Sequence, residues 1–182
     1  MRFTPLEIPD VILIEPNVIE DGRGFFLETY QKERFAAAGI MAEFVQDNHS
    51  ASGQGVLRGL HYQIRQPQGK LVRVVVGEVF DAAVDLRRSS ATFRRSVTCL
   101  LSAEKKNQVW VPPGFAHGFY VISDRAELLY KATDYYAPEW ERTLLWNDPA
   151  LAIDWPLVDG QAPILSIKDS LGKSLGEAET FA

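Results

Sequence analysis

The sequence has almost no cysteine and no long apolar segment. Its one cysteine, Cys99, has no partner for a disulfide bond within the chain. It lies in the apolar run VTCLLSA, so we interpret it as a small buried hydrophobic side chain. No apolar run approaches the roughly 18 residues of a membrane-spanning helix. The first ten residues contain Glu7 and two prolines, which is unlike a signal peptide. We therefore expect a cytoplasmic protein without a membrane partner.

Positive charge is also scarce. The 19 lysines and arginines are outnumbered by 24 acidic residues, and the net charge of −5 argues against a nucleic-acid partner. Apolar residues make up 46% of the chain, which is typical of a folded globular protein. The chain of 182 residues shows no repeat or long linker, so residues 1–182 are predicted to form a single domain. Residues 171–182 match no motif, and we expect them to be an exposed tail.

Short segments rich in β-branched and aromatic residues dominate the chain, and turn residues separate them. One helix is predicted over Gln31–Ala38, closed by Gly39, and a second short helix near Asp169. Many strands with one or two helices predict a β-sandwich or β-barrel, and periodicity leaves jelly roll, lipocalin-like barrel and immunoglobulin-like sandwich open. The predicted strands are Val11–Ile14, Gly24–Tyr30, Glu43–His49, Val56–Gln63, Lys70–Val76, Val79–Leu86, Arg94–Leu101, Gln108–Val111, Gly118–Val121, Ala126–Ala132 and Thr143–Trp146.

Several polar side chains interrupt or end apolar strands. Because burying an unpaired charge is costly, these groups are expected to line one solvated cavity, such as a barrel mouth, or to pair with each other. For Arg73, Asp81 and Asp85 the alternative interpretation is a set of ordinary ion pairs at strand ends. The side chains concerned are Lys70, Arg73, Asp81, Asp85, Tyr130 and Lys131.

The histidines follow part of a metal-binding pattern. Metal-binding cupin barrels carry Gly-x5-His-x-His, then Glu-x6-Gly, and later Pro-x-Gly-x2-His. Gly55 and His61 resemble the start of this frame, and the stretch from Pro112 to His117 resembles its end. However, Gln63 replaces the second histidine and Lys70 replaces the glutamate. An ammonium repels a divalent cation and an amide is a weak zinc or iron ligand, so no metal site is expected.

Eight strings, in order and with compatible spacing over roughly residues 5–170, resemble the dTDP-4-dehydrorhamnose 3,5-epimerase family. This resemblance implies an all-β cupin jelly-roll barrel with one or two short helices, a homodimer, and neither metal nor organic cofactor. It also implies that the substrate is dTDP-4-dehydro-6-deoxy-D-glucose and that the product leads to dTDP-L-rhamnose. The strings are DGRGFF (21–26), FVQDNHS (44–50), VLRGLHYQ (56–63), QGKLVRVVVGEVFDAAVDLR (68–87), VPPGFAHGF (111–119), YKATDYYAPEWE (130–141), LWNDP (145–149) and SIKD (166–169).

The chemistry of a C4 ketone gives four residues a catalytic interpretation. The ketone acidifies the C–H bonds at C3 and C5, so inversion needs a base, an acid on the opposite face and a group that holds the enolate oxygen. His61 is the candidate base, since an ordinary imidazole pKa near ~6.5 allows it to accept a proton at neutral pH. Without the neighbouring motifs, the favoured interpretation of a lone strand histidine is a satisfied core residue. The resemblance implies Asp169 as its orienting partner, Tyr130 as the acid and Lys70 as the enolate-stabilising cation.

The resemblance also implies a set of substrate-binding residues. Arginine suits diphosphate oxygens because its guanidinium binds them through two hydrogen bonds. Arg23 and Glu28 are expected to serve the partner subunit through a crossing N-terminal strand, although each charged residue taken singly could be surface charge. The predicted assignments are Arg23, Arg58 and Lys168 for the diphosphate, Glu28, Gln46, Asn48 and Glu141 for nucleotide or sugar, His117 for a substrate oxygen, and Tyr136 as a stacking platform for thymine. An alternative role for Arg58 is to assist Lys70 at the enolate oxygen.

The sequence leaves three other functions open. Relatives that invert only C3 or only C5, in specialised deoxysugar pathways, keep the same proton-transfer residues. A cupin that binds a sugar nucleotide without catalysis would need no acid–base pair, so the combination of His61, Lys70, Tyr130 and Asp169 argues against it. A ketoisomerase that moves the C4 carbonyl to C3 would use similar groups, but its motifs are usually distinct.

Overall fold

The computed structural model describes all residues from 1 to 182, and most ordered segments are short strands. Neither of the two α-helices is long and apolar enough to cross a membrane. The helices are α1 (Lys32–Ala37) and α2 (Ile167–Ser170). The strands are β1 (Arg2–Pro5), β2 (Ile12–Glu15), β3 (Val18–Asp21), β4 (Gly24–Leu27), β5 (Gln46–Gly53), β6 (Leu57–Gln63), β7 (Lys70–Val76), β8 (Glu78–Asp85), β9 (Ser96–Ser102), β10 (Gln108–Val111), β11 (Phe115–Val121), β12 (Arg125–Ala132) and β13 (Glu141–Thr143).

The local signals in the sequence account for most of these elements. Strands β7 and β10 have the predicted bounds, and most of the other predicted strands are found with shifted ends, whereas the predicted strand Thr143–Trp146 shares only Thr143 with β13. Helix α1 begins after Gln31, whose side-chain oxygen accepts a hydrogen bond from the Arg34 N–H at 2.6 Å. Gly39 follows the last helical turn with φ of +87°, as predicted for a terminating glycine. Strands β1 and β3 were not predicted, because each has only four residues and carries charged residues or proline.

The strands form two large antiparallel sheets and a separate hairpin. One sheet has the order β1-β2-β10-β7-β12-β5, and the other has the order β13-β6-β11-β8-β9. Strands β3 and β4 pair only with each other. Neighbouring strands in the large sheets are mostly not consecutive in sequence, which is typical of a jelly roll. The predicted cupin jelly roll with two short helices is therefore confirmed.

Three apolar clusters hold the sheets and their coverings together. The largest includes Val74, Val97 and Leu101 and lies between the inner faces of the two sheets. A second cluster, around Leu60 and Leu144, joins the outer face of the five-stranded sheet to the C-terminal part of the chain. The third packs α1 against the outer face of the six-stranded sheet. Because apolar packing occupies only part of the space between the sheets, polar side chains line the remainder.

The prediction of an exposed tail over residues 171–182 is wrong for several of these residues. Leu175 is only 3% exposed and belongs to the second apolar cluster. Its backbone N–H donates to Asp148 Oδ2 at 2.6 Å. The Phe181 N–H donates to the Leu86 carbonyl oxygen at 2.9 Å, which ties the chain end to the five-stranded sheet. The segment therefore closes the outer side of that sheet, although Leu171 at its start is exposed.

Candidate active site

A cavity of about 720 Å³ opens between the two sheets. Its walls carry polar side chains from the inner faces of β5, β6, β7, β11 and β12, together with residues around α2. All the predicted site residues except Arg23 and Glu28 line it: His61, Lys70, Tyr130, Asp169, Gln46, Asn48, Arg58, His117, Tyr136, Glu141 and Lys168.

A β-bulge in β6 explains how Arg58 and His61 both reach the cavity. Residues three apart in a regular strand point to opposite faces of the sheet. Here the pairing with β11 shifts, so that His61 faces His117 while Arg58 faces Phe119. The extra residue turns both polar side chains inward. Gly118 permits this close approach, because a Cβ there would lie 2.6 Å from the Arg58 carbonyl oxygen.

His61 forms an oriented pair with Asp169. Its Nε2 lies 2.5 Å from Asp169 Oδ1, across 108 residues of sequence. Ser166 caps α2 and donates from Oγ to Asp169 Oδ2 at 2.7 Å, which fixes the carboxylate. Burial lowers the pKa of His61, although the hydrogen bond to Asp169 opposes this shift. The other ring nitrogen has no hydrogen-bond partner within the chain, so a neutral His61 can accept a proton from a ligand.

Lys70 and Tyr130 lie on the neighbouring strands β7 and β12 of the opposite sheet. Burial lowers the pKa of Lys70 to about 8, while the charges of Glu141 and Asp81 oppose the shift. Burial raises the pKa of Tyr130, so the phenol keeps its proton at neutral pH. The wall of the cavity thus carries a cation and a neutral proton donor, while His61 projects from the other sheet.

His117 belongs to a second histidine–carboxylate pair. Its Nε2 lies 2.9 Å from Asp81 Oδ2, and the two residues are only 7% and 2% exposed. Because an ionised carboxylate accepts hydrogen bonds only, Nε2 carries the proton. The remaining ring nitrogen of His117 is left for a ligand in the cavity. Asp81 was expected either to line the cavity or to form an ion pair, and it lies behind His117 as the residue that orients it.

A second polar network lies at the cavity wall around Glu141. Lys168 Nζ donates to Glu141 Oε1 at 2.8 Å, and the Tyr136 hydroxyl donates to Glu141 Oε2 at 3.0 Å. Burial alone would raise the pKa of Glu141, but the hydrogen bond and charge of Lys168 outweigh it and lower that pKa. Both carboxylate oxygens are therefore engaged, and Glu141 joins the lysine to the aromatic ring.

Arg58 is held in place by the strand beside it. Its Nε donates to Ser52 Oγ at 2.9 Å and its guanidinium also donates to the Ala51 carbonyl oxygen. No carboxylate lies within ion-pair distance of it, so its charge is available to an anionic ligand. Gln46 and Asn48 lie along the same strand β5, joined by a hydrogen bond of 3.0 Å. Their positions give this side of the cavity a cation with neighbouring amides.

Two predicted residues, Arg23 and Glu28, do not reach this cavity. Arg23 lies in the hairpin of β3 and β4, with its side chain 91% exposed and paired to Asp21 at 2.6 Å. Glu28 pairs with Arg34 at 3.2 Å on the surface. Neither residue is among the side chains that line the chain's own site.

The expectation that all the strand polar groups share one cavity is wrong for four of them, one of which is Asp81, already described behind His117. Asp85 pairs with Arg87 at 2.8 Å, as the ion-pair interpretation predicted. Arg73 and Lys131 face outward from the six-stranded sheet, where both line a separate cavity of about 300 Å³. Lys131 pairs there with Asp47 at 2.9 Å. The alternation of side chains along β7 and β12 separates these groups from Lys70 and Tyr130.

Three residues that hold predicted site residues in place were not themselves predicted to do so, and the sequence gives only partial signals for them. Ser166 precedes Asp169 by three residues, and this spacing is typical of a helix cap. Asp81 stood out as a charge in an apolar strand, but nothing in the sequence joined it to His117. Ser52, which holds Arg58, follows the polar alternation of β5 and could have been found by that pattern. No group of three or more His, Cys, Asp or Glu side chains is placed to hold a metal ion.

Together, the jelly roll and its cavity define a cupin with the groups for proton transfer: an oriented histidine, a phenol and a lysine. The family model described as dTDP-4-dehydrorhamnose 3,5-epimerase matches residues 5–177. The chain therefore belongs to the dTDP-4-dehydrorhamnose 3,5-epimerase family, and it is an enzyme of the isomerase class.

Individual relatives agree with this membership. A dTDP-4-dehydrorhamnose 3,5-epimerase of Pseudomonas aeruginosa is 62% identical over 182 residues, which is 100% of this chain and 99% of the relative. The crystal structure of a 3,5-epimerase from Legionella pneumophila in complex with dTDP-4-keto-L-rhamnose has a TM-score of 0.94 and 51% identity, covering 98% of this chain and 94% of that one. A 3′-monoepimerase from Streptomyces bikiniensis, in complex with dTDP-quinovose, has a TM-score of 0.87 and 34% identity, covering 94% and 87%.

Proposed function

We propose that the protein inverts C3 and C5 of dTDP-4-dehydro-6-deoxy-D-glucose and so forms dTDP-4-dehydro-L-rhamnose, a step toward dTDP-L-rhamnose. The observation that carries this proposal is the His61–Asp169 pair at 2.5 Å in a cavity that Lys70 and Tyr130 also line. Higher identity to a double epimerase (62%) than to a monoepimerase (34%) favours inversion at both carbons.

In this mechanism His61 is the base. The C4 ketone acidifies the neighbouring C–H bonds, and neutral His61 removes one proton while Asp169 stabilises the imidazolium that forms. The Lys70 ammonium stabilises the enolate oxygen as negative charge develops. Tyr130 then donates its proton to the opposite face of the ring carbon. His61 returns its proton to water, Tyr130 regains one, and the same sequence inverts the second carbon.

The remaining cavity residues bind the nucleotide part of the substrate. Arg58 and Lys168 neutralise the diphosphate, and Arg58 is suited to this because it lacks a carboxylate partner. Gln46, Asn48 and Glu141 contact the sugar or nucleotide, and the His117 ring contacts a sugar oxygen. Tyr136, which is half exposed at the cavity wall, stacks on thymine. No metal or organic cofactor takes part in this scheme.

We further propose that the protein acts as a homodimer in which the hairpin of β3 and β4 completes the partner's site. The hairpin pairs with no other strand and exposes Phe25 and Phe26. Contact with a second subunit would bury these rings and bring Arg23 and Glu28 to a substrate. Residues 1–182 then act as one catalytic domain. A cytoplasmic location is part of the same proposal, because the single cysteine needs no oxidising compartment.

Substitution of the base and the acid tests the mechanism. We expect His61→Ala and Tyr130→Phe each to lower turnover of dTDP-4-dehydro-6-deoxy-D-glucose by roughly 10²–10⁴-fold, the usual contribution of general acid–base catalysis. Because Tyr130→Phe keeps the base, it should still exchange the substrate's protons with solvent while failing to invert. Product NMR measures both effects, and a wild-type rate for His61→Ala would remove His61 from the mechanism.

A further inference from the structure

Three glutamine side chains hold one loop beside the cavity. The loop consists of residues 134–137, between β12 and β13, and each of its residues makes a backbone hydrogen bond to a glutamine. Gln68 Nε2 donates to the Asp134 carbonyl oxygen at 2.8 Å, and Gln46 Oε1 accepts from the Tyr136 N–H at 2.9 Å. Gln63 Nε2 donates to the Tyr135 carbonyl oxygen at 3.2 Å, and its Oε1 accepts from the Ala137 N–H at 2.9 Å.

Gln63 is the centre of this arrangement. Its side chain is buried, with the residue 4% exposed, and a third hydrogen bond joins Nε2 to the Gln66 carbonyl oxygen at 2.7 Å. Only an amide offers two N–H donors and an acceptor in one flat group, so no other side chain of this length could satisfy the same three backbone groups. Gln63 stands where a metal-binding cupin would carry its second histidine, and here the position supports a loop.

The loop carries Tyr136, which is fixed by one hydrogen bond at its backbone and another at its hydroxyl. The Tyr136 N–H is bound to Gln46, and the hydroxyl is bound to Glu141, which Lys168 also contacts. The ring itself is half exposed and lines the cavity. A flat aromatic face that is fixed before a ligand arrives loses little entropy on binding, and this lowers the free energy cost of association.

We propose that Gln63 and Gln68 are positioning residues, which together with Gln46 hold the Tyr136 ring as a rigid platform for the base of the bound nucleotide. This inference rests on the proposed function, since it takes the ligand to be a nucleoside diphosphate sugar. It adds that the affinity for the base depends on Gln63 and Gln68 through their hydrogen bonds to the backbone of the loop. The phosphate-binding groups, Arg58 and Lys168, do not depend on Gln63 or Gln68 for their own hydrogen bonds.

Calorimetric titration with two probes, dTDP and inorganic pyrophosphate, separates this role from a general structural one. We expect Gln63→Leu to weaken dTDP binding by about tenfold and Gln68→Leu by about threefold, since they lose three hydrogen bonds and one respectively. Pyrophosphate binding should stay within about twofold of the wild type. The KM of the sugar nucleotide should rise while kcat changes by less than about twofold.

A double-mutant cycle with Tyr136→Ala tests whether the effect passes through the ring. Gln63→Leu should cost no further dTDP affinity once Tyr136 is alanine, because coupled residues are not additive. Gln54→Leu is the matched control: Gln54 also binds a backbone carbonyl oxygen, that of Ile122 at 2.8 Å, but lies outside the cavity. It should bind dTDP as the wild type does.

Several outcomes would overturn the inference. Equal weakening of dTDP and pyrophosphate in both glutamine variants, unchanged dTDP affinity, or full additivity with Tyr136→Ala would each do so. Since Gln68→Leu removes a single hydrogen bond, it remains informative if Gln63→Leu fails to fold. A wild-type protein that binds no dTDP would overturn the proposed function and this inference together, whereas normal wild-type binding with any of the other results would overturn the inference alone.

Discussion

At the scale of single residues, the environment of the cavity sets the protonation states of the two groups on which the proposed chemistry depends. Burial lowers the pKa of His61 below its ordinary value, so the proposed base is neutral at physiological pH. The same effect lowers the pKa of Lys70 to about 8, which leaves most of it charged at pH 7. The neighbouring carboxylates of Glu141 and Asp81 prevent a larger shift. Neutral base and charged lysine therefore coexist only within a limited range of pH.

This range predicts a bell-shaped dependence of kcat/KM on pH, measured in the free enzyme. The rate should rise with pH as His61 loses its proton, at a pH below its ordinary pKa of about 6.5. It should fall as Lys70 loses its proton near pH 8. Since arginine stays protonated throughout, Lys70→Arg should lose the alkaline limb even at a reduced maximum rate. A Lys70→Arg enzyme that keeps its decline near pH 8 would assign that limb to another group.

At the scale of elements, the hairpin of β3 and β4 is the part of the fold without a partner of its own. It pairs with neither large sheet, and Ile19, Phe25 and Phe26 are all more than half exposed. Exposing three apolar side chains on one small hairpin to water is unfavourable in free energy. Such a patch is typical of a surface that contacts another protein chain. Arg23 lies at the tip of this hairpin, so a contact between subunits through the hairpin would bring its guanidinium to the partner's site.

Mixing two impaired variants, His61→Ala and Arg23→Ala, tests whether this hairpin serves the partner subunit. His61→Ala should lack the base, and Arg23→Ala should raise KM through the loss of a phosphate contact. In a heterodimer with exchanged hairpins, one of the two sites holds both wild-type residues. Random reassociation should therefore restore about a quarter of the wild-type rate, assayed at low substrate concentration. A mixture no more active than the average of its parts would show that Arg23 does not act in the partner's site.

At the scale of the whole molecule, the C-terminal part of the chain is integral to the fold. Residues 144–181 cover the outer face of the five-stranded sheet, where Trp155 and Leu175 pack with strands β6 and β8. The same part of the chain contributes Asp169 and Lys168 to the cavity. Folding of this covering segment and assembly of the site are thus coupled.

Leu175→Ala should destabilise the protein by about 2–4 kcal/mol, because it leaves a cavity beneath the covering segment. Leu171→Ala offers a control in the same segment, since Leu171 is exposed and its loss should change the free energy of unfolding by less than about 0.5 kcal/mol. Urea denaturation followed by tryptophan fluorescence gives both values. Equal stability of the two variants would mean that residues 171–182 add nothing to the folded state.

The sequence predicted the elements whose signals are local. The strand Lys70–Val76 was found with its predicted bounds because a β-branched run lies between Gly69 and Gly77. The burial of Leu175 was not predicted, because a single apolar residue among polar neighbours forms no apolar pattern of helix or strand spacing. The bulge in β6 was missed too, since it depends on pairing with β11.

The site was predicted from motifs rather than from physical patterning. Nothing local joins His61 to Asp169 across 108 residues, and the family motifs supplied that pairing. The hydrogen bonds from glutamines to the loop of residues 134–137 could not be predicted. Their partners are backbone N–H and carbonyl groups, which do not depend on the identity of the loop residues. The orientation of His117 by Asp81 depends on the register of β8 and β11, which the sequence does not specify locally.

The most direct test of epimerisation by proton transfer at C3 and C5 is the incorporation of solvent deuterium. Purified protein is incubated in heavy water with dTDP-4-dehydro-6-deoxy-D-glucose, with and without chelator, and the product is analysed by NMR. We expect deuterium at both C3 and C5 with inverted configuration, and the same rate in the presence of chelator. Label at a single carbon would make the protein a monoepimerase, and no label at either carbon would contradict the proton-transfer mechanism and the roles of His61 and Tyr130 with it.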